Sequence, residues 1–219
     1  MRTVFAAVLI AVGLSSCAHK PRAQRVPAPP AAVQVGYTES GVASWYGHPY
    51  HGRHAADGEI YDMEKLTAAH RTLPFNTWVR VDNLDNHRTV DVRIIDRGPF
   101  IDGRIIDLSH AAAREIQMIG PGVARVRLEV IRLPSSEPSG LFAVQVGAFR
   151  DRKRAERVRR NMESRYGVAR MVFQDGSPAL WRVLVGSEPT EDAASALAGR
   201  IRKDSRENST AFVVRVDAA

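Results

Sequence analysis

The sequence predicts a small β-barrel or β-sandwich followed by an α+β sandwich of ferredoxin-like type. Three observations support this. Short alternating strands fill residues 40–133, a βαββαβ order fills residues 141–219, and a Pro- and Ser-rich linker, residues 134–140, lies between them. Residues 40–133 carry 12 basic and 12 acidic side chains, whereas residues 141–216 carry 15 and 9. The chain of 219 residues therefore divides into two domains, one neutral and one basic, with separate cores.

The N-terminus has the pattern of a bacterial export signal. Arg2 precedes eleven apolar residues, 4–14, far fewer than the roughly 20 that span a membrane. The run ends Leu-Ser-Ser-Cys, which resembles a lipobox, in which Cys17 is lipidated and becomes the new N-terminus. The alternative is an ordinary secretory signal that contains the single cysteine of the chain. That single cysteine excludes an intramolecular disulfide framework and a Cys-rich zinc site.

These features predict a signal peptide over residues 1–16 and a lipidated, Pro/Ala-rich tether over residues 17–39. The tether shows no sustained helical or strand period. At about 3.1 Å per residue in polyproline II it reaches at most roughly 70 Å. Ala at position 18 favours the outer membrane, so we expect a lipid-anchored protein at the periplasmic face.

Residues 40–133 show four alternating strands and one clear helix. The strands are expected at 41–47, 78–83, 89–95 and 123–131, and Ser109 is expected to cap the helix that Gly120 ends. A second, short helix is expected near residues 63–69.

Two carboxylates in this block are candidates for acid–base chemistry. Glu59 lies in a loop, and Asp96 ends an alternating strand on the side of Val92 and Ile94. A carboxyl at the end of an apolar face is poorly solvated, which favours its neutral form and suits a general acid. The alternative is a structural aspartate that accepts backbone N–H bonds or pairs with Arg97.

Histidines are concentrated in the same block, but they do not form a metal motif. His48, His51 and His54 are spaced by three, in a segment whose proline and glycine exclude a helix. No second ligand pair completes a site, so we expect hydrogen-bonding loop histidines and no metal.

Dense motifs in this block closely resemble the rare lipoprotein A (RlpA) family of septal-ring lytic transglycosylases. They are GVASWYG at 41–47, HGR at 51–53, DGEIYDM at 57–63, LTAAHRTLP at 66–74, VRV at 79–81, DRGPF at 96–100 and IDLS at 106–109. The resemblance implies a six-stranded double-psi β-barrel, with Glu59, His70 and Asp96 as the essential positions. Asp57 stands where the family often has Asn, and this second carboxylate could raise the pKa of Glu59.

The implied reaction cleaves the β-1,4 bond between N-acetylmuramic acid and N-acetylglucosamine and leaves a 1,6-anhydro end. Because the 6-hydroxyl of the sugar itself attacks, one acid can protonate the leaving oxygen and later deprotonate that hydroxyl. Asp96 is assigned this role. Glu59 would position sugar or stabilise positive charge, and His70 would orient a carboxyl or a hydroxyl. No cofactor is required.

Residues 141–219 predict strands at 142–146, 169–174, 180–185 and 211–216. Helices are expected from the Asp151 cap to Gly167 and from Thr190 onward. A ferredoxin-like fold also serves RNA recognition, but the strands lack the aromatic residues on which bases stack, so nucleic acid is not expected as a partner.

The block resembles instead the SPOR domain, which binds glycan strands stripped of stem peptides at the division septum. The matching segments are FAVQVGAF at 142–149 and WRVLVG at 181–186. Strand parity places Gln145 and Arg182 on the open side of the sheet. Phe149 could stack on a sugar or be a core aromatic.

The sequence thus predicts a lipid-tethered periplasmic lytic transglycosylase, with divisome proteins as possible partners at the septum. Two alternatives stay open. One is a non-catalytic wall-binding protein, because some double-psi barrels loosen polysaccharide without cutting it, and the other is a septal scaffold.

Overall fold

The computed structural model describes residues 33–134, 140–176, 178–204 and 210–216. The first domain is a closed barrel of six strands in the order β1-β5-β2-β4-β3-β6. Its strands and its one helix are β1 (Thr38–Tyr46), β2 (Thr67–His70), β3 (Trp78–Asn83), β4 (Thr89–Asp96), β5 (Arg104–Ser109), α1 (His110–Glu115) and β6 (Val123–Arg132). The six-stranded barrel expected from the resemblance is confirmed.

Alternation of apolar and polar side chains builds the barrel core. Val79, Val92, Ile94 and Leu108 point inward and are fully buried. The Ser109 side chain caps α1 by accepting from the Ala112 N–H at 3.1 Å, as expected. The inside of the barrel is therefore a packed apolar core, and the polar side chains of a site must come from the loops and strand ends around it.

Three predictions for this domain are wrong. The helix capped by Ser109 ends at Glu115, with Ile116 as its C-cap, and not at Gly120. No helix forms near residues 63–69, because residues 67–70 are the fully buried strand β2, which pairs in parallel with β4 and antiparallel with β5. The predicted tether, residues 17–39, also extends too far. Val33 and Tyr37 pack against the barrel core, and β1 begins at Thr38. Residues 1–32, with Cys17, lie outside the described residues, as do residues 135–139 of the linker.

The second domain is a four-stranded antiparallel sheet with two helices. Its elements are β7 (Leu141–Phe149), α2 (Arg152–Tyr166), β8 (Ala169–Gln174), β9 (Leu180–Glu188), α3 (Glu191–Asp204) and β10 (Phe212–Val216), and the strand order is β10-β7-β9-β8. Asp151 caps α2 through the Arg154 N–H, and Gly167 ends the helix with a φ of 88°. The predicted βαββαβ order is confirmed. Within the described ranges, no helix is both long enough and apolar enough to cross a membrane.

Each domain has its own main core, and the two domains also share an interface that the sequence did not predict. Ala56 and Phe75 of the barrel belong to the hydrophobic cluster of the second domain. The Arg97 guanidinium pairs with Glu191 at the start of α3, and both side chains are over nine-tenths buried. The Phe100 ring stacks on Phe212, with 4.8 Å between ring centroids. The interface therefore lies directly beside the end of β4, where Asp96 is found.

Candidate active site

Asp96 lies at the end of β4, where the strand leaves the barrel. Its Oδ1 accepts backbone N–H bonds from Arg97 at 2.8 Å and from Ala56 at 3.0 Å. No hydrogen bond from the described part of the chain reaches Oδ2. Burial raises the pKa of Asp96 from 3.8 to about 6, although the two backbone N–H groups act to lower it. One oxygen is thus held in place, and the other can carry and exchange a proton.

The position of Asp96 differs from the one that strand parity predicts. On β2, Ala68 pairs with Ile94 and Ala69 pairs with Asp96, so the register skips Ile95. The Ile95 side chain packs in a small cluster outside the main barrel core. This irregularity interrupts the alternation, and Asp96 therefore faces the loop at Ala56 rather than the core that contains Val92 and Ile94. Of the two structural alternatives for Asp96, the backbone N–H bonds are observed, and the ion pair with Arg97 is not, because that guanidinium contacts Glu191.

The loop that carries Glu59 is hydrogen-bonded to the end of β4, where Asp96 lies. The Asp57 N–H donates to the Ile95 carbonyl at 3.0 Å, and the Glu59 N–H donates to Asp57 Oδ1 at 2.9 Å. Together with the bond from Ala56 to Asp96, these contacts fix the loop against the end of β4. The loop that carries Glu59 is therefore anchored at the strand end that carries Asp96.

Glu59 is held in its ionised form by an arginine that sequence reasoning missed. Arg93 donates from Nη1 and Nη2 to the two carboxylate oxygens, each at 2.7 Å. This bidentate pair lowers the pKa of Glu59, whose side chain is 47% exposed. Arg93 lies on the polar side of the alternating strand β4, but alternation alone does not indicate which carboxylate it reaches.

The expected effect of Asp57 on Glu59 is wrong. Asp57 is almost completely buried, and burial raises its own pKa to about 6, with the charge of Glu59 contributing in the same direction. The pKa that is raised is therefore that of the buried Asp57. The pKa of Glu59 is lowered because Arg93 bonds to Glu59 directly. The site thus contains one ionised carboxylate, Glu59, and two carboxyls of raised pKa, Asp57 and Asp96.

His70 is buried at the end of β2 and contacts neither candidate acid. Its Nδ1 accepts the backbone N–H groups of Thr72 and Leu73 at 3.2 and 3.0 Å, so the ring proton lies on Nε2. Nε2 lies 3.2 Å from a carboxylate oxygen of Glu39 on β1. Burial lowers the pKa of His70, and the neutral ring joins β1 to the turn after β2. The carboxyl that it orients is that of Glu39.

Two of the three loop histidines make separate hydrogen bonds, and the His48 ring packs edge-on against His51. The His54 Nδ1 atom lies 3.0 Å from the Gly58 carbonyl oxygen, and His51 Nδ1 accepts the Met63 N–H at 3.2 Å. Across the residues that the structure describes, no group of three His, Cys, Asp or Glu side chains could hold a metal ion.

Two of the three predicted glycan-binding residues, Gln145 and Arg182, lie near the barrel site. Arg182 Nε donates to the Gln145 side-chain oxygen, so the two side chains share the open face of the sheet. The charge of Arg182 acts on the carboxyl of Asp96. The Phe149 ring lies over Gly147 on one face, and the Arg154 guanidinium lies 5.4 Å from its centroid. Stacking on a sugar would require Arg154 to move.

The closed barrel and the attached sandwich define a double-psi β-barrel protein with a SPOR domain. The family model described as lytic transglycolase matches residues 38–128, and the SPOR domain model matches residues 138–215. The chain belongs to the RlpA family.

Three relatives named endolytic peptidoglycan transglycosylase RlpA show how far the likeness extends. The Campylobacter jejuni protein is 38% identical over 211 residues, covering 85% of this chain and 75% of the relative. The Vibrio cholerae protein is 39% identical over 175 residues, covering 76% of this chain and 66% of the relative. The Pasteurella multocida protein is 58% identical over 98 residues, covering 45% of this chain and 33% of the relative. The chain thus spans between one third and three quarters of the length of these relatives.

Proposed function

We propose that this chain is an endolytic peptidoglycan lytic transglycosylase, which cleaves the β-1,4 bond after N-acetylmuramic acid in peptide-free strands. The observation that carries the proposal is the pair of unlike carboxyls, Asp96 at the end of β4 and Glu59 on the loop hydrogen-bonded to that strand end. Asp96 has a pKa raised to about 6, and Glu59 has a lowered pKa. Titratable groups whose environments separate their pKa values are typical of acid–base sites. Membership of the RlpA family supports the same reaction.

In this mechanism protonated Asp96 gives its proton to the glycosidic oxygen as the bond to the anomeric carbon breaks. The 6-hydroxyl of the same N-acetylmuramic acid then attacks that carbon, and the Asp96 carboxylate takes the hydroxyl proton. No water is consumed, and Asp96 ends the cycle protonated. One carboxyl is thus sufficient, unlike in hydrolytic glycosidases, where two carboxyls act in turn.

Glu59 supplies the fixed negative charge of the site. Positive charge develops on the sugar ring as the leaving oxygen departs, and an ionised carboxylate nearby stabilises it. Arg93 keeps Glu59 ionised and fixes its position, while leaving it 47% exposed toward solvent. His70 is a positioning residue, because it touches β1 and the turn after β2 rather than either acid.

The test is digestion of peptide-free glycan strands by the full chain, followed by mass spectrometry of the soluble products. Release of fragments with 1,6-anhydro ends supports the proposal. Fragments with reducing ends would show a hydrolase. Intact strands that pellet with bound protein would show the non-catalytic binder instead.

The pH dependence of kcat/KM is expected to be bell-shaped. Asp96 must be protonated to act as an acid, so activity should fall by about tenfold per pH unit above its pKa of about 6. Glu59 must be ionised, and because Arg93 lowers its pKa, the acid limb should lie below the ordinary range of a glutamate. A rate that stays constant up to pH 8 would contradict the role of Asp96.

We also propose that residues 1–16 are a signal peptide, that Cys17 is lipidated, and that the protein is held at the outer membrane and concentrated at the septum by its SPOR domain. The division into an N-terminal barrel, which includes β1 from Thr38, and a glycan-binding domain at 141–219 belongs to this proposal. Divisome proteins are proposed as partners there. The Leu-Ser-Ser-Cys sequence supports the anchor, and the SPOR match supports septal enrichment.

Cys17→Ala should yield a protein that incorporates no labelled palmitate and is released with the soluble periplasmic fraction. The reason is that the thiol is the atom that carries the lipid. Label that still enters the variant would disprove the lipobox assignment. Cys17→Ser, which keeps the size of the side chain but not the thiol, serves as the matched control and should behave in the same way.

A further inference from the structure

Tyr46, the last residue of β1, has a buried hydroxyl that makes no hydrogen bond to any residue the structure describes. Its ring stacks on the Tyr61 ring, with 4.3 Å between ring centroids, and the Tyr61 hydroxyl donates to the Tyr46 carbonyl oxygen at 2.7 Å. The two tyrosines therefore lie side by side, but only one of their hydroxyls has a partner. A buried polar group without a partner costs free energy, so the unpaired hydroxyl of Tyr46 calls for an explanation.

The Tyr46 side chain lies among the neighbours of Asp96. It packs against the small cluster outside the main barrel core that contains Ala55 and Ile95. Ile95 directly precedes Asp96 on β4. Ala55 directly precedes Ala56, whose N–H donates to Asp96. Tyr46 therefore shares its surroundings with the carboxyl that the proposed mechanism uses.

The charges around the Tyr46 hydroxyl keep it protonated. Burial raises the pKa of Tyr46 well above its usual range, and the charge of Asp96 acts in the same direction. Tyr61, Asp107 and Asp57 also raise this pKa, each less than Asp96 does. The hydroxyl therefore carries its hydrogen throughout the working pH range and is available as a hydrogen-bond donor.

Two of the three carboxyls that act on the tyrosine hydroxyl are engaged elsewhere. Asp57 Oδ1 accepts the Glu59 N–H at 2.9 Å, and Asp107 Oδ1 accepts the Ser44 hydroxyl. Both also act on the tyrosine more weakly than Asp96 does. Asp96 is therefore the carboxyl to which the free hydroxyl is best matched.

The Oδ2 atom of Asp96 is the acceptor that lacks a donor. Oδ1 accepts two backbone N–H groups, whereas Oδ2 receives no hydrogen bond from the described ranges of the chain. The guanidinium charges of Arg97 and Arg182 act on Asp96, but their hydrogen bonds go to Glu191 and Gln145 among other groups. An unpaired donor and an unpaired acceptor thus lie in the same small region.

We propose that Tyr46 is a positioning residue, whose hydroxyl donates a hydrogen bond to Oδ2 of Asp96 once that carboxyl has given up its proton. This inference rests on the proposed function for the role of Asp96. While Asp96 is protonated, its own hydrogen occupies Oδ2 and the tyrosine hydroxyl stays unpaired. When the proton passes to the glycosidic oxygen, the new negative charge attracts the tyrosine hydrogen. The bond is released when Asp96 takes the proton of the 6-hydroxyl, and no proton leaves Tyr46 at any stage.

The test measures the pKa of Asp96 by carbon-13 NMR of the full chain with labelled aspartate carboxyls, in the wild type and in Tyr46→Phe. The Asp96 signal is assigned by its absence from the spectrum of Asp96→Asn. The hydrogen bond favours the ionised carboxyl, so its removal should raise the pKa of Asp96 by about one pH unit, as expected for a hydrogen bond to a charged group. An unchanged pKa would overturn the proposal.

The pH dependence of activity should follow the pKa of Asp96. In Tyr46→Phe the basic limb of kcat/KM should move upward by about one pH unit. At pH 5, where Asp96 is mostly protonated in both proteins, kcat should fall by about 3- to 10-fold, because the carboxylate that forms is less well stabilised. KM should stay the same, because Tyr46 acts through Asp96. A fall by one factor at every pH, with no movement of the limb, would contradict the proposal.

Tyr61→Phe is the matched control, because it removes a hydroxyl of the same cluster that does have a partner. It should lower the Tm at pH 5 and at pH 8 alike and leave the pKa of Asp96 close to that of the wild type. Tyr46→Phe should keep the wild-type Tm at pH 5, where its hydroxyl is unpaired, and lower the Tm at pH 8, where ionised Asp96 loses its donor. An equal loss at both pH values would show that the Tyr46 hydroxyl is structural.

The outcomes separate this inference from the proposed function. If Tyr46→Phe raises the pKa of Asp96 while the wild type releases no anhydro ends, the hydrogen bond stands and the proposed activity fails. If the wild type releases anhydro ends and Tyr46→Phe shows the same pKa and the same pH profile, the activity stands and the role of Tyr46 fails.

Discussion

Asp96→Asn should reduce the release of anhydro products by about 10²- to 10⁴-fold, the usual contribution of a general acid. The amide keeps the size of the side chain, and its oxygen can still accept the Ala56 and Arg97 N–H groups. It cannot donate and recover a proton at the position of Oδ2. Binding to glycan strands should persist, because the binding residues of the second domain are unchanged.

Thermal unfolding of the same sample distinguishes a catalytic from a structural Asp96. A carboxyl whose pKa rises from 3.8 to about 6 on folding binds its proton more tightly in the native state. Each pH unit between these values therefore lowers the free energy of unfolding of the wild type by up to about 1.4 kcal/mol. The asparagine variant escapes this loss, so at pH 7 its Tm should equal or exceed that of the wild type, and the difference should vanish near pH 4.

Two results would contradict this assignment. A folded Asp96→Asn variant with near-normal turnover would end the catalytic role. A Tm at pH 7 well below the wild type, with activity reduced only in proportion to the unfolded fraction, would indicate a structural aspartate. Asp82→Asn, a partly exposed aspartate on β3, is the matched control and should change neither quantity.

Glu191→Gln should destabilise the docking of the two domains by roughly 3–5 kcal/mol, because it leaves the buried Arg97 charge without its partner. The amide oxygen can still accept the Phe75 N–H, which donates to Glu191 at 3.2 Å in the structure. The expected result is a second, lower transition in thermal unfolding and a larger radius of gyration in solution scattering. A single transition at the Tm of the wild type would disprove it.

Two further variants isolate the cause. Glu163→Gln on α2 breaks only an exposed pair with Arg159 and should cost no more than about 1 kcal/mol. Arg97→Met combined with Glu191→Gln removes both charges from the interface and should recover much of the loss. Failure of the double variant to recover would show that the Arg97 side chain is needed for packing against Phe75, whose ring centroid lies 3.6 Å away.

Elements with a strong period were predictable, and the short central strands were not. β3, β4 and β6 alternate over six to ten residues, and α2 has an apolar stripe between a cap and a glycine. β2 has only four residues, all buried, so it shows no alternation, and its alanines suit a helix equally well. Its conformation is determined by pairing with β4 and β5, which are distant in sequence.

The candidate acids could be found from the sequence, but their partners could not. Asp96 and Glu59 lie at a strand end and in a loop, and the motifs resemble those of a known family. Arg93 is 34 residues from Glu59, and Glu191 is 94 residues from Arg97. Contacts of this kind arise only when the barrel closes and the second domain docks, so no local pattern indicates them. For this reason the predicted direction of the Glu59 pKa shift was wrong.

The first strand of the barrel also has a mechanical consequence. β1 is hydrogen-bonded along both edges, antiparallel to β6 and parallel to β5. A pull on the chain ahead of residue 33 would reach this strand through the turn at residues 34–37, and β1 could leave the barrel only if the bonds on both of its edges were broken. Glu39, which contacts His70, lies on the same strand. The barrel can therefore resist a force applied at β1 while the turn after β2, which His70 contacts, keeps its position.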